Sequence, residues 1–357
     1  STSRYIMTSR LTSSLLNRTR RPLSALALDS AQAQFQLPAM PASLSMRPSK
    51  QRFDPSQHLT LDGPQSIHPL SAFGMDSKAL NVPDFGATEP FRLFPKETVS
   101  IINSELEKYA METTYRSPPF APCVMRGLAH KSDFIRDLWE APQLQSLLSS
   151  IVGIPIEPHP MAFERAHINV QEQKYSDSEM AQVLERQEAV DEQPVFGWHT
   201  DSQPFVCITM LSDPPEGAIG GETHVQKSNG EVVKLQFPAA GYSYLLQGSV
   251  IPHAAMPALN YKRVTMITSF VPSNPLFSEQ TDLDLAIKYS PKKELTDEFV
   301  KYRCDYMSKR LKLLKREGLG STSDGVEFCE KLLDEIMSDL KHTKDSLSRV
   351  KDVLTKP

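Results

Sequence analysis

The sequence predicts a mainly β fold with flanking helices (α+β), built around a β sandwich or barrel, and three observations carry that expectation. Between residues 160 and 275 lie five short runs, "FERAHINVQ", "PFVCITMLSD", "GEVVKLQF", "GYSYLLQGS" and "RVTMITSFV". They are rich in β-branched and aromatic residues and are separated by Pro, Gly, Asn and Asp, as the strands of a sandwich or barrel are. Apolar residues recur at helical spacing on both sides of this region. The chain also holds 28 prolines in 357 residues, which suits a loop-rich β architecture better than a helical bundle. Hydrophobic residues at 39% and charged residues at 23% mark a globular chain, and its length is enough to bury a sizeable core. No apolar run approaches the ~18 residues of a membrane span. A net charge of −4 leaves no basic footprint for nucleic acid or anionic lipid.

Residues 1–65 read as an N-terminal extension or arm. The first 28 carry Arg4, Arg10, Arg18, Arg20 and Arg21 with no acid before Asp29. That is the composition of a mitochondrial transit peptide; a solvated arm around the domain is the other reading. Cys123, Cys207, Cys304 and Cys329 are far apart and form no CxxC, which suits reduced thiols in a cytoplasmic protein, with the mitochondrion as the alternative. Cys207, inside an apolar run, reads as core.

Residues 66–275 form the expected main domain, with its β core at about 160–275. "KETVSIINSELEKYAMET" places Val99, Ile101, Ile102, Leu106 and Tyr109 near helical spacing. "SDFIRDLWEAPQLQSLLSSIVG" predicts a second helical region, capped by Ser132 and broken by Pro142. Between the first two β runs, Ser176 with Glu179 makes a capping-box pattern, followed by Met180, Val183 and Leu184. This predicts an exposed helical insertion placed to act as a lid, or plain loop filler. Residues 276–357 turn helical and charged. Leu332, Leu333, Ile336, Leu340 and Leu347 mark an apolar face, which would pack on the core or at a homodimer interface.

The chemistry centres on "FGWHTDSQPF". Nine histidines and 43 acids in this length give about one His-x-acid by chance, so His199-Thr200-Asp201 alone is weak. In a strand, residues i and i+2 share a face, so His199 and Asp201 can reach one ion. His253, in "GSVIPHAAMP", follows three strand candidates later. Two His and one carboxylate on one side of an ion leave positions open, the facial arrangement of non-haem Fe(II) oxygenases. Ten residues beyond, Arg263 and Thr265 again share a strand face. A guanidinium buried there needs an anion, and a carboxylate is its natural bidentate partner.

With these residues in view, the sequence resembles the Fe(II)/2-oxoglutarate-dependent oxygenases, whose core is a double-stranded β-helix, or jelly roll. The resemblance covers roughly residues 160–275. It looks like a group of fungal members, several tied to secondary metabolism, and is distantly similar to the member that builds an aziridine from L-valine. It implies Fe(II) held by His199, Asp201 and His253, with 2-oxoglutarate bound through Arg263 and Thr265. O2 would be consumed, succinate and CO2 released, and a hydrogen abstracted from a small-molecule substrate by a ferryl species.

Further substrate contacts are expected from "FERAHINVQ". Its Arg165, His167, Asn169 and Gln171 share a face; His167 and Asn169 would line the pocket, or the face would meet solvent. Arg126 would clamp a substrate carboxylate or form a structural ion pair. Trp198 and Phe205 flank the metal motif, and His224 reads as structural. No GxGxxG, GxxxxGK[ST] or HExxH is present. Three rivals stay open: an iron oxidase of the same fold without 2-oxoglutarate, a non-catalytic jelly-roll binding protein, and a cupin-type isomerase or hydrolase. Neither membrane nor nucleic acid is an expected partner.

Overall fold

The computed structural model describes residues 51–112, 123–172, 174–176, 178, 180–182, 194–195, 197–277, 279–315 and 319–354. Residues 51–357 form one compact unit. Most of the expected arm, including its basic segment, lies outside the described residues, as do Glu179, Val183 and Leu184 of the expected insertion.

The main strands are β1 (Cys123–Met125), β2 (Ile156–Pro158), β3 (His167–Glu172), β4 (Phe205–Met210), β5 (Thr223–Gln226), β6 (Val232–Leu235), β7 (Tyr242–Leu246), β8 (His253–Ala255) and β9 (Lys262–Pro272). A large antiparallel sheet runs β7–β4–β9–β3–β1. β2 pairs with the end of β9, and two-residue strands within residues 67–92 extend the β7 edge. A small sheet runs β6–β5–β8, and a bridge between His199 and His253 adds the His199 segment beside β8.

From β3 onward the chain alternates between the sheets. β3, β4, β7 and β9 belong to the large one; the His199 segment, β5, β6 and β8 belong to the small one. This winding is a double-stranded β-helix, the jelly-roll core.

Strand alternation divides β9 cleanly. Arg263, Thr265, Ile267 and Ser269 face the small sheet and line a cavity between the two. Val264, Met266 and Phe270 face outward into a second core with Ile102, Leu138, Trp139, Leu144 and Leu148. Those partners come from α1 (Lys96–Glu112), α2 (Asp133–Trp139) and α3 (Pro142–Val152). Trp139 meets Phe270 edge-on at 6.0 Å. Burying each such side chain contributes about 1.5–3 kcal/mol, so this helical layer holds the large sheet rigid from behind. Ser132 caps α2, its Oγ accepting from the Ile135 N–H at 3.3 Å. Pro142 opens α3 in its first turn, where a missing N–H costs nothing.

The C-terminal helices α4 (Lys292–Leu313) and α5 (Ser323–Leu354) pack together. Phe299, Tyr302 and Met307 of α4 join Met161, Phe163 and Val271 of the β domain in a third core. The apolar face of α5 differs from expectation. Leu332 and Ile336 are buried, but Leu333 and Leu340 are 44% and 53% exposed. The buried row runs Leu332, Ile336, Asp339, Thr343, Ser346, Val350 at steps of three and four. Half of that row is polar: Ser346 Oγ accepts from the Leu283 N–H at 3.1 Å, and Asp339 and Thr343 serve Arg303. This fully buried side chain of α4 pairs with Glu279, reaches Asp339 at 3.4 Å and donates to Thr343 Oγ1 at 3.0 Å. Among the described residues, no helix is long and apolar enough to cross a membrane.

Candidate metal centre

His199 and His253 are locked by a reciprocal backbone bridge, with N···O distances of 3.1 and 2.9 Å. Their rings lie side by side with centroids 4.5 Å apart. Each Nδ1 is 2.9 Å from a backbone carbonyl, of Gly197 for His199 and of Ile251 for His253. A carbonyl only accepts, so Nδ1 of each ring carries the hydrogen and Nε2 offers its lone pair. Both Nε2 atoms turn to Asp201, at 3.7 Å from Oδ1 for His199 and 3.5 Å from Oδ2 for His253.

Such separations are long for direct hydrogen bonds. One ligand atom from each of the three residues lies within 4.8 Å of the others, the spacing of donors around a shared ion. Asp201 is placed by its own N–H, which donates to the Gly248 carbonyl at 2.8 Å. Gly248 is required there, because a β-carbon would run into the Asp201 carboxylate. Two imidazoles with prepared lone pairs and one carboxylate fit a divalent transition metal, and their placement on one side leaves coordination positions open.

The centre borders a cavity of about 130 Å³ between the sheets. One row of side chains crosses four strands of the large sheet: His167, Ile267, Ile208 and Tyr244 stand in register. Asn169 and Thr265 form the next inward pair. Burial, with the Arg126 charge behind it, holds the His167 imidazole well below its ordinary pKa, so the ring is neutral. The Tyr244 hydroxyl donates to Thr223 Oγ1 of the small sheet at 2.7 Å, and burial pushes its pKa up to about 12.

Arg263 is the anomaly in this cavity. It is 2% exposed, yet no carboxylate among the described residues lies within ion-pair distance. Its Nη1 reaches Thr265 Oγ1 at 3.4 Å, its Nε has no partner among the described residues, and the Phe237 ring lies 6.0 Å away. Burial lowers its pKa. An uncompensated buried cation is costly, and a carboxylate seated against the guanidinium and the Thr265 hydroxyl offsets that cost.

His199, Asp201, His253, Arg263, Thr265, His167 and Asn169 therefore all line one cavity. Arg126 does not. Its guanidinium is consumed by a buried ion pair with Glu164, so it offers nothing to a substrate carboxylate. Arg165 also departs from the expected face. Ala166 adopts a positive φ of 53°, which breaks the alternation just before β3, and Arg165 pairs with Glu140 instead. Gln171 is buried opposite Arg263 without lining the cavity. Phe205 and Cys207 lie in the outer core, and burial raises the Cys207 thiol to about 12, an unreactive state. Trp198 is 41% exposed. His224 is buried and bonds Glu222 at 3.2 Å.

Gln203, Thr223 and Tyr244 also line the cavity, and the sequence reading missed them. Ser269 also lines it, on the β9 face that alternation assigns to Arg263, Thr265 and Ile267. Gln203 sits in a loop, where no periodicity applies.

No protein-family model matches the sequence, and no curated protein does. Among solved structures, the chain is similar to the non-haem alpha ketoglutarate dependent epimerase SnoN from nogalamycin biosynthesis, at 15% identity and a TM-score of 0.39, over 57% of this chain and 84% of that one. It is similar to HygX from Streptomyces hygroscopicus, solved with nickel and 2-oxoglutarate bound, at 15% identity and 0.38, over 58% and 89%. A Pseudomonas putida prolyl-4-hydroxylase matches at 12% and 0.34, over 55% and 97%. None of the three speaks for the fungal grouping or a valine-derived substrate. At this level of likeness, the chemistry of the chain has to come from its own residues.

Proposed function

We propose that this protein is a non-haem Fe(II)- and 2-oxoglutarate-dependent oxygenase acting on a small molecule. The observation that carries the reading is Arg263: a buried, unpaired guanidinium opening on the same cavity as a His-Asp-His cluster. The metal ligands alone suit several cupin-like chemistries. A buried cation beside them selects a co-substrate that binds metal at one end and carries a carboxylate at the other.

His199, Asp201 and His253 would hold Fe(II), and Arg263 with Thr265 would hold the distal carboxylate of 2-oxoglutarate. Bound there, the pair supplies O2 activation coupled to oxidative decarboxylation of the 2-oxo acid to succinate and CO2. The chain's own part is placement. The Gly197 and Ile251 carbonyls fix both imidazole tautomers, and the backbone bridge fixes their spacing. Val206, Ile208 and Ile267 supply apolar wall, which keeps water from competing for the open side. His167 and Asn169 stand on the opposite wall from the metal ligands' sheet, where a substrate would be gripped. Cytoplasmic location and a homodimer through the C-terminal helices remain part of this proposal.

The test is succinate formation from 2-oxoglutarate under O2 with Fe(II), in wild type and Asp201→Ala. Succinate from wild type, reduced at least tenfold in the variant, supports the reading. Oxygen uptake with no succinate would favour the iron oxidase, and metal binding with neither would favour the binding protein.

A further inference from the structure

Gln203 lies two residues past Asp201, lines the cavity and is 9% exposed. Its Nε2 donates to Glu164 Oε2 at 3.0 Å. The other carboxylate oxygen, Oε1, accepts from Arg126 in an ion pair sealed from solvent. Oε1 of Gln203 has no hydrogen-bond partner among the described residues, and Gln203 borders the cavity.

The orientation of that amide follows from chemistry rather than chance. An ion-paired carboxylate only accepts, so only the NH2 end of Gln203 can face Glu164. The pair is electrically balanced, so the cavity meets a neutral carbonyl and not a charge. The same cavity is lined by the neutral His167 ring, whose buried Nδ1 has no partner among the described residues.

We infer that Arg126 and Glu164 are positioning residues that lock Gln203 with its carbonyl oxygen facing the cavity, making it a specificity determinant for a substrate that presents a neutral N–H or O–H donor beside the metal centre. This deepens the oxygenase reading of the same cavity and rests on it. It excludes a substrate carboxylate at this wall, since an oxygen acceptor repels one.

The test uses a matched pair of probes, 2-piperidone and N-methyl-2-piperidone, titrated by NMR against the full chain loaded with Zn(II) and 2-oxoglutarate and against the unloaded chain. The N–H lactam should bind about three- to tenfold tighter, the usual reach of one hydrogen bond. In Gln203→Leu, which keeps the volume and removes the acceptor, the ratio should fall to the steric cost of the methyl alone. Glu164→Gln supplies the positioning readout. The amide introduced at that position would give its oxygen to Arg126 and point its NH2 at Gln203. Gln203 would then turn its own NH2 to the cavity, so the N–H preference disappears. A merely structural Glu164 would lower stability and leave the ratio alone.

Equal ratios in wild type and Gln203→Leu, or a ratio unchanged by Glu164→Gln in a folded protein, would overturn the inference. If neither lactam binds, the Gln203 side-chain amide resonances decide. Slowly exchanging protons in wild type that become free in Glu164→Gln support the lock; freely exchanging protons in wild type overturn it. Failure of Zn(II) or 2-oxoglutarate to load counts against the oxygenase reading, while the amide exchange still reads the lock.

Discussion

His199 and His253, 54 positions apart in sequence, each donate a backbone N–H to the other's carbonyl. The two metal-ligand candidates are thus one ladder rung, and their imidazoles share a spacing set by backbone and not by rotamer choice. Asp201, two residues on, is hung from Gly248 on the loop that follows β7. The centre is therefore preorganised, and substitutions that move backbone should damage it as much as those that remove ligands.

Gly248→Ala is such a change. Its new β-carbon would meet the Asp201 carboxylate, which has to move out of line with the two Nε2 atoms. Affinity for Fe(II), or Mn(II) as a stable probe, should fall about 10–100-fold, the range for losing support around a ligand. Calorimetric titration checks it, with circular dichroism confirming that the variant folds. Unchanged affinity would mean that Asp201 does not depend on this close approach.

Arg263→Met should have opposite effects on stability and on co-substrate binding. Without a carboxylate to pair with, the guanidinium is a buried charge at a loss, so the variant's apo form should be as stable as wild type or more so, by up to about 1–4 kcal/mol. At the same time, 2-oxoglutarate should raise the urea midpoint of wild type and leave that of the variant unmoved. A large loss of apo stability would show that Arg263 already has its anion within the fold.

The candidate metal cluster and the Arg263–Thr265 pair were legible because both follow a period of two. Arg263 and Thr265 share one face of β9, His199 and Asp201 stand two apart beside the single bridge to His253, and His253 follows at a distance a jelly-roll crossing allows. The same rule pointed His167 and Asn169 inward. It failed one step earlier, at Arg165, because the positive φ of Ala166 interrupts the alternation. Arg126 looked like a substrate clamp because its partner, Glu164, lies 38 residues away on a different element, and sequence carries no signal for such a pair. The face of α5 was misread for a related reason. Its buried row includes Asp339 and Thr343, which the buried Arg303 and Arg310 of α4 explain.

His159 makes stability depend on pH. Its Nδ1 accepts from the Met161 N–H at 3.1 Å and its Nε2 faces Thr281 Oγ1 at 3.0 Å, so the ring is held neutral. Burial, reinforced by the charges of Arg165, Arg126 and Arg303, pushes its pKa from 6.5 down to about 3. Between those values the unfolded chain binds a proton that the folded chain refuses. The contribution is fully present above about pH 6.5 and is lost as pH falls toward 3, by at most about 1.4 kcal/mol per pH unit. Urea midpoints from pH 7 to 4 should fall less steeply in His159→Gln than in wild type. Parallel curves would contradict the assignment.

Arg303→Met should destabilise the whole domain. It strands the fully buried Glu279 and removes the tie between α4, α5 and the segment after β9. Removing one partner of a buried pair costs about 3–5 kcal/mol. Thermal unfolding should show one transition shifted down by several degrees; an unchanged midpoint would mean that the C-terminal helices are an appendage.

The oxygenase account is tested most directly without oxygen. Fe(II) and then 2-oxoglutarate are added anaerobically to wild type and to Arg263→Met, and the visible spectrum is recorded. A weak charge-transfer band, from the 2-oxo acid chelating the bound iron, should appear in wild type at low 2-oxoglutarate and need at least tenfold more in the variant. Iron binding in wild type with no band at any 2-oxoglutarate concentration would contradict the account.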